Sequence, residues 1–281
     1  MDMDTALVLG GGGVTGIAWE WGMLAGLAAA GVDLSDPGFV VGTSAGSVVG
    51  AQVASGADVE ERYAAQLAGP GAEVAAKLTG GALARIAWNV VRTRDPRRAR
   101  ARIGRLALAA DTVPEAERRA VIESRLPAKT WPERRLLITA VDAASGEFIT
   151  FDKDSGVELI DAVAASCAVP GVWPPVTING RRYIDGGVRS AANVDLAAGY
   201  DRVVVLAPIT NGFGAMPSVA RQVAGLADRA KVVVISPDKT ARRAFGRNIL
   251  DPARRAAAAR AGRAQAATVA ESVAAVLAAP A

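Results

Sequence analysis

The chain has 281 residues, 51% hydrophobic and 21% charged, with one cysteine and no histidine, a composition typical of folded globular proteins. The missing histidine excludes a Ser-His-Asp triad, a Cys-His dyad and every metal site that needs an imidazole, so acid–base work falls to carboxylates, Lys or Tyr. The lone Cys167 excludes a disulfide framework and reads as packing, and a net charge of +4 is too mild for a nucleic-acid-binding signature.

The first residues carry acids and no basic n-region, and no apolar run reaches ~18 residues, so neither a signal peptide nor a transmembrane helix is expected. That makes a cytoplasmic location the default. Ala6-Leu7-Val8-Leu9 reads as a strand ending in four glycines, and Ile17 to Ala30 as an apolar helix closed by Gly31. A second strand–turn–helix unit comes next, with a buried strand at Phe39 to Gly42 and a helix over Ala45 to Ala54. Two such units predict a largely parallel sheet. Further strands are expected at Leu136 to Val141 and Glu147 to Phe151, joined by a hairpin around Ala144-Ser145-Gly146, and then at Arg182 to Ile184, Arg202 to Ala207 and Lys231 to Ile235. Helices are expected over Glu158 to Ala168 and from Pro252 to the end of the chain.

Residues 85 to 105 hold eight arginines, among them Arg97, Arg98, Arg100 and Arg102, interleaved with Trp88 and apolar residues. This insert reads either as a solvated helical cap or as a face for an anionic membrane.

Three segments carry candidate chemistry. Gly42-Thr43-Ser44-Ala45-Gly46 fits the G-x-S-x-G nucleophile elbow, where small neighbours let a serine sit on a sharp strand-to-helix turn. Gly11-Gly12-Gly13-Val14-Thr15-Gly16 has three readings. It is a dinucleotide cradle with Asp33 or Asp36 as the ribose acid, an oxyanion hole of exposed backbone N–H groups, or a tight turn for close helix packing. Arg182-Tyr183-Ile184-Asp185-Gly186-Gly187 places an acid at a strand end, where its carboxylate can project into a cleft. A histidine-free serine esterase needs such a base, and partial desolvation would have to raise its pKa.

Gly11 to Gly16, Gly42 to Gly46 and Asp185-Gly186-Gly187 occur in the order and spacing of the patatin-like phospholipases, which this chain resembles over residues 5 to 200. Ala164 to Pro170, followed by Trp173-Pro174-Pro175-Val176, is similar to that family's run before its Asp-Gly-Gly element. The resemblance implies a three-layer α/β/α sandwich with a mainly parallel central sheet. A helical, Arg-rich insert would lie at about 60–130, and residues 201–281 would complete or cap the same domain. It also implies a serine acyl-ester hydrolase of lipids: Ser44 as nucleophile, Asp185 as general base and the amides of Gly11, Gly12 and Gly13 as oxyanion hole. Gly42, Thr43, Ala45 and Gly46 would form the elbow, and Gly16, Gly186 and Gly187 the supporting turns. No cofactor or metal is implied. The expected partners are a lipid or other acyl-ester substrate and an anionic membrane contacted peripherally, with no nucleic acid. Thr15 departs from the Arg or Lys common in the family at that position. Two alternatives stay open, a dinucleotide-dependent oxidoreductase using Gly11 to Gly16 and a non-catalytic lipid-binding member of the fold. Asp142, Asp152 and Asp161 read as structural, and Trp19, Trp21 and Trp88 as core residues or as the lining of an acyl pocket.

Overall fold

A computed structural model of the chain describes residues 2–68, 76, 93–212 and 216–278. The first strand, β1 (Asp2–Leu9), runs straight into helix α1 (Gly13–Ala29), and β2 (Pro37–Gly42) into α2 (Ala45–Ala54), after which comes α3 (Val59–Leu67). Helix α1 starts at Gly13 rather than near Ile17, so the glycines form its N-terminus. They can do so because a long-range bond from the Thr15 N–H to the Ile249 carbonyl (3.1 Å) fixes the first turn, offsetting glycine's poor helix propensity.

Two helices, α4 (Pro96–Leu108) and α5 (Glu115–Arg125), precede the hairpin of β3 (Arg135–Asp142) and β4 (Phe148–Phe151). Next come α6 (Leu159–Ser166), β5 (Val176–Ile178) and β6 (Arg181–Asp185). The short strand β5 has no counterpart in the sequence expectations. The chain ends with β7 (Arg202–Leu206), α7 (Val219–Ala224), β8 (Lys231–Ile235), α8 (Lys239–Phe245) and α9 (Arg255–Leu277). Arg85, Trp88 and Arg92 lie outside the described residues.

The eight strands make one mixed sheet in which β3-β2-β1-β7-β8 run parallel, while β4, β5 and β6 pair antiparallel. Side chains alternate across it. Leu7, Leu9, Val40, Val204 and Leu206 face α1, α2, α6 and α9, while Ala6, Val8, Val41, Val203 and Val205 face Val194, Ala197 and α7. A sheet buried on both faces needs nearly continuous apolar strands, which is how β1, β2 and β7 read. The architecture is the three-layer α/β/α sandwich expected. Trp19 and Trp21 are fully buried core residues, each with its indole N–H donated to a buried amide oxygen, Gln265 Oε1 at 3.1 Å and Gln52 Oε1 at 2.8 Å. They line no cavity near the glycine loop.

Strand β3 sets the spacing of the two strand ends that matter most. Its residues Ile138 to Val141 pair with β4 along one edge, so its partners on the other edge must share that edge end to end. There, β2 occupies Arg135 to Ile138 and stops at Gly42, and β6 occupies Ala140 to Asp142 and stops at Asp185 opposite Ala140. The two strand ends point at each other across a gap of one β3 residue.

Candidate active site

Ser44 lies just past the end of β2 with φ 52° and ψ −116°, one of the few non-glycine residues at positive φ, and α2 begins at the next residue. Such a backbone costs about 1–3 kcal/mol and persists only when its surroundings over-determine it. Three hydrogen bonds do so at this turn. The Ser44 N–H donates to Ser166 Oγ (2.9 Å), and the Ser44 carbonyl accepts from Ser47 Oγ (2.6 Å) and from the Cys167 thiol (3.2 Å). Gly42 and Gly46 make the turn sterically possible, since a Cβ on Gly46 would lie 2.1 Å from the Leu9 carbonyl oxygen and one on Gly42 2.6 Å from Ser47 Cα. Thr43 is fully buried, its hydroxyl bonded to Thr139 Oγ1 and to Asn193 Nδ2, each at 3.0 Å. Ala45 is buried as the first residue of α2.

Asp185 is 5% exposed and accepts the Gly187 N–H at 2.7 Å, and its carboxylate lines the same cavity as Ser44, near enough for the serine hydroxyl to act on its charge. Burial pushes its pKa up to about 6, against the pull of the nearby Ser44 hydroxyl and of the Gly187 N–H. The desolvation anticipated for a carboxylate base is therefore present. Gly186 turns the chain away under Thr139, where a Cβ would clash with Thr139 Oγ1 at 2.2 Å.

The glycine loop completes the site and departs from the expectation at one residue. The Gly11 N–H donates to the Ala191 carbonyl at 2.7 Å, so it is already committed and cannot serve an incoming oxyanion. Among the described residues, the N–H groups of Gly12 and Gly13 have no backbone acceptor. Both sit at the N-terminus of α1, where the helix dipole favours negative charge. Side chains are excluded there: a Cβ on Gly12 would lie 2.4 Å from Pro208 Cβ, and Gly13 has φ +61° with the Ile249 carbonyl 2.7 Å from a Cβ position. Gly16 packs α1 against Ala45 and Pro208.

Gly11, Gly12, Gly13, Ser44, Asp185 and Gly187 line one cavity of about 260 Å³. Its remaining walls are mostly apolar and include Ile103, Val169, Val188, Met216, Ile249 and Leu250. Thr15 stands behind this wall. It is fully buried, and its hydroxyl is directed at the Ile249 carbonyl (3.3 Å), so it tethers the 249–250 segment and leaves no room for the long cation of the family pattern.

The other acids fall elsewhere. Asp33 accepts the Ser35 N–H, and Asp36 pairs with Arg134 (2.6 Å). Both precede β2, at the opposite end of the parallel β1–β2 pair from the glycine loop, so neither can meet a ribose bound there. Asp142 organises the hairpin turn and pairs with Arg181 (2.9 Å), Asp152 caps a turn through Ser155, and Asp161 pairs with Arg119 (2.6 Å). Among the described residues no metal-binding cluster of His, Cys, Asp and Glu exists, and no helix is long and apolar enough to cross a membrane.

Sequence reasoning did not single out Ser166, Ser47, Thr139 or Asn193 as parts of the site. Ser166 and Cys167 were legible only as neighbours within the Ala164 to Pro170 run.

No curated protein sequence matches the chain. Among solved structures, VipD from Legionella pneumophila aligns at 13% identity and a TM-score of 0.48, covering 96% of this chain and 67% of that one. The type III effector protein ExoU aligns at 16% identity and a TM-score of 0.45, covering 96% of this chain, which spans about half (53%) of ExoU. The family model described as patatin-like phospholipase matches residues 7–198, more than half of the chain and inclusive of the glycine loop, the Ser44 turn and Asp185. The chain belongs to the patatin-like phospholipase family.

Proposed function

We propose that this protein is a serine acyl-ester hydrolase acting on lipids, with Ser44 as nucleophile, Asp185 as general base and the N–H groups of Gly12 and Gly13 as oxyanion donors. One observation carries the reading. A backbone-strained serine and a buried carboxylate whose pKa its hydroxyl lowers line one apolar cavity, beside two amides at a helix N-terminus that lack backbone acceptors.

Asp185, ionised above its pKa of about 6, takes the Ser44 proton as Oγ attacks the ester carbonyl. The carbonyl oxygen becomes an alkoxide facing the Gly12 and Gly13 amides, where fixed donors stabilise it far better than water because they need no reorganisation. Collapse of the tetrahedral intermediate expels the alcohol, which receives the proton from Asp185. Water, deprotonated by the same carboxylate, then attacks the acyl-enzyme, and Ser44 is regenerated. The raised pKa narrows the gap to the serine hydroxyl and makes Asp185 a better acceptor than an exposed carboxylate. Apolar walls suit an acyl chain, and this chemistry requires no metal or cofactor.

Covalent labelling by a fluorophosphonate, combined with hydrolysis of a panel of p-nitrophenyl esters, tests the assignment. The wild-type protein is expected to label and turn over, and Ser44→Ala to do neither. Full labelling of Ser44→Ala would refute the nucleophile. Titratable NAD(P) binding without labelling would favour the dinucleotide reading, against which the positions of Asp33 and Asp36 already speak.

A further inference from the structure

Helix α4 forms one wall of the cavity through Ile103 and turns its other faces away from it. Its buried residues are small or few: Ala99, Ile103, Gly104 and Ala107. They seat it on the β3–β4 turn, Gly104 so tightly that a Cβ would lie 1.9 Å from the Ala143 carbonyl oxygen. Arg97 Nε donates to the Ser145 carbonyl (3.3 Å) and Arg100 Nε to the Gly146 carbonyl (2.7 Å), fastening the helix further.

The arginines that remain are arranged on one line. Residues 94 to 105 contain six arginines and a single acid, Asp95. Arg98, Arg102 and Arg105 succeed one another at spacings of four and three, so they form a stripe along one side of the helix, with Arg94 in the bend just ahead of it. Arg94, Arg98 and Arg105 are exposed and Arg102 is half-buried. Asp95 meets Arg98 at 3.3 Å, but both side chains are largely in solvent, where such a pair holds little free energy. Beyond Arg105 the stripe continues into Leu108, 42% exposed, and the adjoining loop presents Val113, 36% exposed. A recess beside the cavity, sharing Ile103, Val188 and Met216 with it, is lined by Arg100 and Arg189. The helix that walls the cavity through Ile103 therefore carries exposed arginines and an apolar tip on its outer side.

The geometry points to the α4 stripe and Arg94 ahead of it, with Leu108 and Val113 at its end, as the face by which this protein lies on an anionic lipid bilayer, on the outer side of the helix that walls the Ser44 cavity. Guanidinium groups match lipid phosphates in geometry, a row of them on one helix face engages a charged plane together, and the leucine and valine tips can enter the headgroup region. Nucleic acid would use the arginines but leave the apolar tips in water, so charge and hydrophobicity together favour lipid. The inference rests on the ester-hydrolase reading only in giving the bilayer the role of substrate source; the docking itself does not need turnover.

Binding of the full chain carrying Ser44→Ala to phosphatidylglycerol-containing vesicles and to pure phosphatidylcholine vesicles, at low and high salt, tests the docking without hydrolysis. Strong binding to the anionic vesicles that falls with salt is expected, with little binding to phosphatidylcholine. Adding Arg94→Gln, Arg98→Gln and Arg105→Gln together should weaken it about a hundredfold, each residue contributing roughly fivefold. The same triple change in the protein with Ser44 intact should leave p-nitrophenyl ester hydrolysis unchanged, which shows that the fold and cavity survive. Leu108→Asp, at an exposed site, should weaken vesicle binding independently. Equal binding to both vesicle types, no binding to either, undiminished binding by the triple variant, or displacement of vesicles by a short DNA duplex would each overturn the proposal. An intact-Ser44 protein that binds anionic vesicles yet hydrolyses no ester would sink the hydrolase reading and leave the docking surface standing.

Discussion

The two glycine-rich turns, after β1 and after β2, share one local architecture and put it to different uses. Each joins the carboxyl end of a parallel strand to a helix in three residues or fewer, and both line the same cavity. In the first, side chains are absent and backbone amides are left facing the cavity, with Gly11 anchored to Ala191 so that Gly12 and Gly13 can remain without backbone acceptors. In the second, one side chain is displayed and every backbone polar group of Ser44 is satisfied from behind by Ser166, Ser47 and Cys167. The difference shows that the glycine loop offers its backbone, whereas the serine turn commits its backbone hydrogen bonds to holding a strained side chain. Substitutions that convert one kind of turn toward the other should therefore fail in different ways.

The largest effect is expected at the base. Asp185→Asn should lower kcat/KM about 10²–10⁴-fold, measured on a p-nitrophenyl ester, because proton acceptance is lost while the shape is kept. It should also make the protein more stable. A carboxyl whose folded pKa is about 6, against an ordinary 3.8, loses stability as pH rises through that window. A shift of about two pH units caps the gain at about 3 kcal/mol, so a stabilisation of about 1–3 kcal/mol should emerge in denaturant melts above pH 6, and vanish near pH 3. The same pKa predicts that wild-type kcat/KM falls on acidification below about pH 6. A flat profile from about pH 5 to 8 would separate Asp185 from the proton transfer, whatever its geometry.

Next is the loop. Gly12→Ala drives a Cβ to 2.4 Å from Pro208 and must shift the amides, so kcat should drop about 10²–10³-fold with fluorophosphonate labelling slowed in parallel. Ser166→Ala removes the hydrogen bond to the Ser44 N–H and relaxes the turn. Its cost should be about tenfold in kcat, with KM little changed and a stability loss of about 1–2 kcal/mol. If Gly12→Ala and Ser166→Ala produced the same split between kcat and KM and the same change in pH profile, the distinction between the two turns would collapse.

The smallest effect concerns Glu20, fully buried in α1, neither of whose carboxyl oxygens has a hydrogen-bond partner among the described residues. Burial holds its pKa well above the usual carboxylate range, the Gly10 amide opposing that shift only in part while directing its own hydrogen bond to Leu206. A raised folded pKa lowers stability as pH climbs from the unfolded value, so Glu20→Gln should raise Tm by a few degrees at about pH 8 and leave it nearly unchanged at about pH 4. Activity on soluble esters should be unaffected.

Much of this was legible in the sequence because strand, glycine turn and helix are local signals. The α2 boundaries and the placement of Asp185 at a strand end stem from apolar runs punctuated by glycine, and the β8 boundaries from an apolar run set between charged residues and Ser236-Pro237. What was not legible depends on partners far along the chain. The commitment of the Gly11 amide needs Ala191, the satisfaction of Ser44 needs Ser166 and Cys167, and the Thr43 hydroxyl needs Thr139 and Asn193. A serine or asparagine carries no periodicity that reveals which distant polar group it will meet. Likewise Thr15, read as a departure from a family cation, is a tether for the cavity wall, visible only once Ile249 lies above it.

The end-to-end meeting of β2 and β6 on one edge of β3 has a bearing on when the protein becomes competent. The β1–β2 pairing draws on roughly the first fifth of the chain, whereas the Ser44 turn is held only once Ser166 and Cys167 are behind it, and Asp185 reaches the site only after β6 has closed on the free edge of β3. Long-range pairing of this kind forms late because loop closure opposes it. The cavity that Ser44 and Asp185 share is therefore complete only when contacts spanning more than half of the chain are in place, so it has no local precursor in either strand–turn–helix unit.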